Sequence, residues 1–296
     1  MYKLLTWPFV LLQAVLPKHL LTALVFHIAA IRTKSIKDFL IRRFVSIYKV
    51  DVEEAALPVP DGYPSFNDFF TRQLVDGARP IDSSVNAIIS PVDGTVSAAG
   101  NIVSDTLLQA KGMHYSLSEL LMTDIEDVDR LSDGSFATLY LAPHNYHRVH
   151  CPLPANLVAA RYVPGALYSV NATTVSLLPG LFTRNERLTL HFDSDAGPII
   201  LIFVGALHVG SISTPWTGQI RPRRKGVVQD IDILKKGYPG NVNKGDLLGW
   251  FNMGSTVIML LPPDSCELSS ELGAGQTVRM GQAIGRITGR TIQAPS

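Results

Sequence analysis

A change in hydrophobic pattern near Pro80 constrains the fold of this chain more than any other feature. Beyond that residue the sequence consists of short apolar runs, rich in β-branched residues and separated by Gly, Pro and Asp. Such runs are typical of β-strands, and the turn residues between them end each strand. The sequence therefore predicts a β-sheet body. The runs that predict strands are 87–89, 94–98, 136–141, 188–192, 199–204 and 257–261.

Residues 4–50 have a different pattern, which favours helix. Apolar residues such as Leu20 and Leu24 recur there at spacings of three and four, as on one face of a helix. Pro8 and Pro17 are expected to interrupt the pattern, because proline lacks the N–H that a helix interior needs. We therefore expect two or three amphipathic helices before the sheet. Short helices are also expected at 66–74 and 116–122.

The same N-terminal segment carries most of the charge asymmetry. Residues 1–50 hold eight basic side chains and one acidic side chain, hence +7, while the whole chain carries only +1. Because apolar residues separate these cations, the segment favours an anionic membrane surface over nucleic acid, with a solvated helical face as the alternative. Its charge-free stretches, 4–17 and 19–31, are shorter than the roughly 18 to 20 residues that span a bilayer. We expect peripheral attachment.

Length and composition fit one large domain with an appendage, or two domains. The chain has 296 residues, of which 46% are hydrophobic. The predicted fold class is α+β, with N-terminal amphipathic helices followed by a mostly β body that is hybrid-barrel or sandwich-like. The predicted division is a helical membrane-association region at 1–56 and a β-rich catalytic domain at 57–296. Cys151 and Cys266 are too few for a disulfide framework and fit a reducing compartment, with a single disulfide between them as the alternative.

Three histidines lie close together within residues 141–152, at positions 144, 147 and 150. Clustered histidines are common zinc ligands, so a metal site is one interpretation. However, neither a regular helix nor a strand brings all three to one side, and neighbouring prolines prevent a long regular element. A turn or bulge would let His147 and His150 face one site as acid–base groups. Histidines with purely structural roles remain a further alternative.

Two turn-like segments supply a carboxylate and a hydroxyl. Asp93 lies in a Pro-Val-Asp-Gly turn, and Ser255 follows Gly254 just before an apolar run. A serine that attacks an amide needs a base, and a histidine base works best when a carboxylate orients it. Glycine suits the attacked position because it lacks a Cβ. Each residue alone also fits an ordinary turn.

Taken together, these segments resemble the phosphatidylserine decarboxylase family, of the bacterial membrane-associated type. The likeness extends over nearly the whole chain, and the order and separation of the segments match the family. One departure is Met253, which stands where the family most often has leucine. The matching segments are 48–51, 66–74, 90–94, 109–112, 115–117, 142–150, 214–216 and 249–256.

The resemblance implies that the chain is a proenzyme that cuts itself between Gly254 and Ser255. Asp93, His150 and Ser255 would form the self-processing triad, in which Ser255 attacks the carbonyl of Gly254. The products would be a large chain, 1–254, and a small chain, 255–296. Ser255 would become an N-terminal pyruvoyl group, so that the cofactor, pyruvate, derives from the chain itself.

The resemblance also implies the reaction, which is that of a carboxy-lyase. Phosphatidylserine would form a Schiff base with the pyruvoyl group at Ser255, lose CO2 and become phosphatidylethanolamine, and His147 would transfer the proton. The implied partners are this membrane phospholipid, an anionic membrane surface, the large and small chains of one proenzyme and a homo-oligomer, without nucleic acid or metal. The implied location is peripheral, on the cytoplasmic face of the inner cell membrane.

Two other classes of protein remain as alternatives. A zinc-dependent hydrolase would use His144, His147 and His150 and stay one full-length chain. A non-catalytic membrane-binding protein with a hybrid-barrel body would also stay uncut. The basic run at 221–225 could attract phosphate groups through Arg221, Arg223, Arg224 and Lys225, or could be a solvated loop.

Overall fold

The N-terminal segment forms three helices in the computed structural model, which describes residues 6–122, 125–232 and 240–289. They are α1 (Thr6–Val15), α2 (Lys18–Ala29) and α3 (Lys34–Tyr48). Pro17 separates α1 from α2, as predicted. The predicted break at Pro8 is wrong, because Pro8 lies in the first turn of α1, where no intrahelical partner exists for its missing N–H.

Shorter helices follow within the body. They are α4 (Phe66–Phe70), α5 (Leu117–Leu121), α6 (Ile125–Leu131), α7 (Ala172–Val175) and α8 (Leu181–Arg184). Ser65 caps α4 by accepting a hydrogen bond from the backbone N–H of Asp68. The helix predicted at 66–74 ends earlier because the chain then becomes extended, and Leu74 pairs with Ala55.

Every run predicted as a strand lies in one, so the mostly β body is confirmed. The described strands lie in four open sheets and do not close into a barrel. The strands are β1 (Ala87–Ile89), β2 (Gly94–Asn101), β3 (Thr106–Ala110), β4 (Met113–Ser116), β5 (Ser135–Leu141), β6 (Arg148–His150), β7 (Ala155–Val163), β8 (Arg187–Ser194), β9 (Gly197–Val204), β10 (Ser211–Thr214), β11 (Gly218–Ile220), β12 (Gln229–Ile231), β13 (Asn241–Val242), β14 (Leu247–Asn252), β15 (Ser255–Leu261), β16 (Cys266–Leu268), β17 (Thr277–Val278) and β18 (Ala283–Ile287).

The largest sheet places β15 at its centre. Its strand order is β12-β7-β8-β9-β15-β5-β2-β17, with β13 also paired to β7. The other sheets have the orders β11-β10-β14-β6, β1-β18-β16 and β3-β4. Strand β15 is antiparallel to both neighbours, with Ser255 opposite Leu141 and Thr256 opposite Val204. Ladders on both sides of β15 would hold it in the sheet even if the chain were cut just before Ser255.

Helices α3 and α4 share an aromatic cluster at one end of the body. Phe44 of α3 packs against Phe66, Phe69 and Phe70 of α4, with ring centroids 5.1 to 6.4 Å apart. Met253 lies at the edge of this cluster. The cluster therefore joins the N-terminal helices to the loop that precedes β15.

Helices α1 and α2 contact the loops of the body through buried polar groups. The Gln13 side chain donates to Thr174 Oγ1 at 3.2 Å and accepts from the Ser169 N–H at 2.8 Å. Thr22 Oγ1 accepts from the His208 N–H at 3.1 Å. These hydrogen bonds tie the helices to loops of the body, so the N-terminal segment is part of the packed structure and not a free appendage.

The outer face of the helices is apolar. Its exposed side chains include Leu11, Leu12, Val15, Leu20, Leu24 and Phe39. Among the described residues, no helix has the length and hydropathy needed to cross a bilayer.

Candidate active site

The peptide between Gly254 and Ser255 follows a turn with unusual backbone angles. Met253 has φ 85° and Gly254 has φ 37°, both in the left-handed region. Glycine tolerates this region, whereas a side chain such as that of methionine clashes there, at a cost of about 1 to 3 kcal/mol. Strain is therefore stored next to the bond that the sequence predicts to be cut.

Buried hydrogen bonds of Asn252 hold the chain just before this turn. Its side-chain N–H groups donate to Ser211 Oγ at 2.6 Å and Ser213 Oγ at 3.1 Å, and its Oδ1 accepts from Asn67 Nδ2 at 2.8 Å. Sequence reasoning did not single out Asn252. The sequence feature that could have indicated it is its position in the segment 249–256, two residues before Gly254.

Ser255 is the first residue of β15 and is 1% exposed. Its Oγ donates a hydrogen bond to the carbonyl of Val204, on the neighbouring strand β9. The hydroxyl is therefore held at the N-terminal end of a central strand, next to the carbonyl group of Gly254.

The imidazole of His147 lies beside Gly254. Its Nδ1 donates to the Asn145 carbonyl at 2.8 Å, so Nε2 is left as an acceptor. That Nε2 atom is buried without a hydrogen-bond partner, and it is 3.9 Å from the position that a Cβ on Gly254 would occupy. Phe70 covers the ring, with centroids 4.0 Å apart. An unsatisfied basic nitrogen therefore faces the candidate cleavage site.

Burial keeps His147 neutral. Desolvation, together with the positive charge of Arg72, lowers the pKa of His147 to about 3. The neutral form with a free Nε2 lone pair is the one that can accept a proton.

The His150 ring is hydrogen-bonded to groups other than Ser255 in the described structure. Its Nδ1 donates to the Gly245 carbonyl at 2.7 Å, and its Nε2 lies 3.0 Å from the Tyr146 hydroxyl, which donates to it. Burial lowers the pKa of His150, and the Gly245 carbonyl and the charge of Asp93 oppose this shift. Each nitrogen of the ring thus has a hydrogen-bond partner. Neither partner is Asp93 or Ser255, the two residues with which His150 would form the predicted triad.

Asp93 is likewise engaged by other groups. Its carboxylate accepts from Arg79 Nε at 2.9 Å and Nη2 at 2.6 Å, and from the Met280 N–H at 2.9 Å. Arg79 also pairs with Glu54 at 2.8 Å. Within the described residues, the expected Asp93–His150 hydrogen bond is not formed. Sequence reasoning missed Arg79, because nothing local indicates a partner 14 residues away.

The three histidines do not converge on a metal site. The carbonyl of His144 accepts from Arg72 Nη2 at 3.3 Å, while the rings of His147 and His150 bond to different carbonyls. The described residues contain no group of three His, Cys, Asp or Glu side chains able to hold a metal ion. The geometry therefore gives the zinc hydrolase alternative no support.

A cavity of about 230 Å³ opens at the Gly254–Ser255 peptide. Aromatic side chains of Phe44, Tyr48, Phe70 and Tyr140 line one side of it, and loops 169–171 and 206–208 line the other. An apolar groove between α2 and α3 adjoins it and shares Phe44, Tyr48 and Met253. The loops that Gln13 and Thr22 hold are thus walls of this cavity.

The lowered pKa of His147 generates a prediction about stability. The folded state keeps this ring neutral, whereas the unfolded chain protonates it below pH 6.5, so stability should fall as the pH falls from 6.5 towards 3. This histidine should account for about 2 kcal/mol of the loss between pH 6.5 and 5. Urea unfolding of Ser255→Ala, which stays uncut, should be compared with Ser255→Ala/His147→Gln. The double variant should show the smaller loss, and equal losses would contradict the assignment.

Comparison with known proteins identifies the family of this chain. A family model described as "Phosphatidylserine decarboxylase" matches residues 66–286, and a second, described as "PSD", matches residues 8–49. A protein of Saccharophagus degradans named "Phosphatidylserine decarboxylase proenzyme" is 42% identical, over 94% of this chain and 97% of its own length. Proteins of the same name from Nitrosococcus oceani and Shewanella putrefaciens are each 44% identical, over 97% and 93% of this chain and 93% and 96% of their own lengths. The chain therefore belongs to the phosphatidylserine decarboxylase family.

Proposed function

We propose that this chain converts phosphatidylserine to phosphatidylethanolamine and CO2, with a pyruvoyl group that it makes from Ser255 by cutting its own Gly254–Ser255 bond. The observation that carries the proposal is the Gly254–Ser255 peptide itself, which follows the strained backbone of Met253, lines a cavity and lies beside the unpaired Nε2 of His147. The names of the relatives supply the substrate, and the word proenzyme in those names agrees with a chain that is processed.

The first stage is the attack of Ser255 Oγ on the Gly254 carbonyl carbon. The amide C–N bond breaks, an ester forms, and β-elimination frees the carboxylate of Gly254 and leaves dehydroalanine at the new N-terminus. Addition of water and loss of ammonia then give the pyruvoyl group. The strain at Met253 favours this stage, because cutting the chain after Gly254 would let the turn relax.

The proton of Ser255 needs a base, which we assign to His150 oriented by Asp93. In the uncut chain described above, His150 is bonded to Tyr146 and Asp93 to Arg79. The assignment therefore requires both contacts to rearrange before cutting. His147 requires no such movement to reach Gly254, and this difference makes the two histidines separable by experiment.

The residues around Ser255 fit a pyruvoyl group in that position. When present, this group supplies a conjugated carbonyl that binds an amine and accepts the electron pair freed as CO2 leaves. The buried Nε2 of His147, which has no partner, would face it. We assign to His147 the return of a proton to the α-carbon after CO2 has left, which requires the bound anionic substrate to raise the lowered pKa of the ring. The aromatic wall of Phe44, Phe70 and Tyr140 excludes water from this step.

We assign the chain to the surface of an anionic membrane, on the cytoplasmic face of the inner membrane. The apolar outer face of α1, α2 and α3 and the +7 charge of residues 1–50 support peripheral attachment. The adjoining groove between α2 and α3 leads from that face to Met253. Association into a homo-oligomer stays a prediction from the resemblance.

Turnover and covalent trapping test the proposed reaction. In detergent micelles that contain phosphatidylserine, the purified chain should release CO2 and form phosphatidylethanolamine, and a metal chelator should not stop it. Cyanoborohydride added during turnover should attach the substrate to the fragment 255–296 and abolish activity. The Ser255→Ala variant should neither release CO2 nor become attached to the substrate. Activity from an uncut chain, or label on residues 1–254, would contradict the proposal.

Substitutions of the histidines should separate the two stages. His150→Ala should block cutting, because the base of the first stage is lost. His147→Ala should still cut, at least in part, but should release CO2 at least about a hundred-fold more slowly, as expected for the loss of a general acid–base group. His144→Ala is the matched control and should retain both steps, since among the described residues the hydrogen bond of His144 is made by its backbone carbonyl. Gel mobility and CO2 release measure the two stages, and the reverse pattern would move the first-stage base to His147.

Loss of the Asn252 side-chain bonds should slow self-cutting. Asn252→Leu keeps a similar volume but removes three hydrogen bonds, each worth about 1 kcal/mol, that hold the chain before the strained turn. We expect cutting of freshly synthesised chain to slow about ten-fold or more, as followed on gels against time. The control is Asn243→Leu, at an exposed position. Equal rates for the two variants would show that the turn does not need this anchor.

A further inference from the structure

A second, larger cleft lies at the corner between α1 and α2. Its volume is about 610 Å³, and its lining consists of residues 14–20, Ala166, Tyr168 and Arg224. None of these residues lines the cavity at Ser255. The mechanism proposed above leaves this cleft without a role.

The lining of the cleft is cationic. Lys18 and Arg224 contribute the positive charge, His19 adds an imidazole whose lowered pKa leaves it neutral near pH 7, and no acidic side chain lines the cleft. Lys18 is 9% exposed; its Nζ donates to the Gln13 carbonyl at 2.5 Å and lies 4.3 Å from the centre of the Tyr168 ring. Neither partner is an anion, so the positive charge of Lys18 is not neutralised.

The cations of the cleft also disfavour one another. Burial and then the charge of Arg224 lower the pKa of Lys18. Burial lowers the pKa of His19, and although a Gly165 carbonyl opposes the shift, the charges of Arg224 and Lys18 add to it. Arg224 has no ion pair within the part of the chain that the structure describes. An anion placed among these groups would relieve their repulsion.

Helix α2 directs its positive end to the same place. The helix begins at Lys18, and Pro17 at its N-cap supplies no side-chain hydrogen bond to the first turn. Free backbone N–H groups and the helix dipole at such an end favour a bound anion, phosphate above all. The dipole therefore adds to the positive field of Lys18 and Arg224.

The rim of the cleft indicates where the anion comes from. Val15 and Leu20 line the cleft and are 79% and 68% exposed. Both lie on the apolar face that we assign to the membrane. A phosphate that entered here from a lipid would keep its glycerol and acyl chains against this rim, whereas a free phosphate ion would gain nothing from it.

We propose that this cleft binds the phosphate group of an anionic phospholipid, at a site separate from the cavity where the substrate reacts. The inference rests on the proposed membrane attachment but not on the proposed reaction. Tyr168, beneath Lys18, precedes Ser169, which bonds to Gln13 and lines the cavity at Ser255. The occupied cleft therefore also steadies one wall of the reaction cavity.

The basic residues of the run 221–225 make different contacts. Arg221 lies over the Phe26 ring at 4.4 Å, and Arg223 donates to Gln229 Oε1 at 3.0 Å. Of this run, Arg224 lines the cleft, while the neighbouring Lys225 is exposed and does not. This pair provides matched variants that remove the same charge from adjacent positions.

Calorimetric titration of the full chain with a soluble short-chain phosphatidylglycerol tests the proposal. One molecule should bind per chain, and Arg224→Gln should weaken binding about ten-fold or more. A second variant in the cleft, Lys18→Met, should also weaken it. Lys225→Gln should change the affinity for the lipid by less than about five-fold, because one cation near an anionic surface contributes about 1 kcal/mol. Equal losses in Arg224→Gln and Lys225→Gln would overturn the proposal in favour of a diffuse surface charge.

Three further arms identify the ligand and separate the site from the reaction. Short-chain phosphatidylcholine, which has no net charge, should bind much more weakly, and equal binding would contradict an anion site. Inorganic phosphate should displace the lipid only at far higher concentration, and displacement at equal concentration would indicate a free-phosphate site instead. The Ser255→Ala chain cannot form a pyruvoyl group and should bind as tightly as the wild type. Weak binding by that chain would place the lipid in the reaction cavity.

Discussion

The double pairing of β15 is the constraint on which the rest of this structure depends. Hydrogen-bond ladders to β5 and β9 fix all of its residues, including Ser255 at its first position. The turn before the strand has left-handed backbone angles at Met253 and Gly254. The same ladders would keep residues 255–261 in place after a cut. The sheet can thus hold a strand that follows a strained turn and tolerate a cut between the two.

The N-terminal helices contribute to the walls of the cavity beside Ser255. Gln13 and Thr22 bond to the loops that form one wall of the cavity, and Phe44 contributes to the opposite wall. The same helices expose an apolar face on their outer side. If the proposed function holds, this arrangement places the proposed bilayer contact and the proposed reacting groups on one packed unit.

Local pattern predicted six of the strands, and two or three N-terminal helices of which the structure has three, because β-branched runs and apolar spacing depend on neighbouring residues. It does not identify partners that are distant in sequence. Arg79 pairs with the carboxylate of Asp93, and residue 280 of the predicted small chain donates to it; neither contact was predicted. The proximity of His147 to Gly254 likewise depends on the pairing of strands and on packing against Phe70. Neither can be read from the spacing of residues within 141–152.

The intact mass of the purified chain tests the central claim most directly. The account predicts two species, one ending at Gly254 and one beginning at residue 255 with a pyruvoyl group in place of serine. The smaller species should also resist N-terminal sequencing, because it has no free amine. A single species with the mass of all 296 residues, accompanied by full decarboxylase activity, would contradict the account.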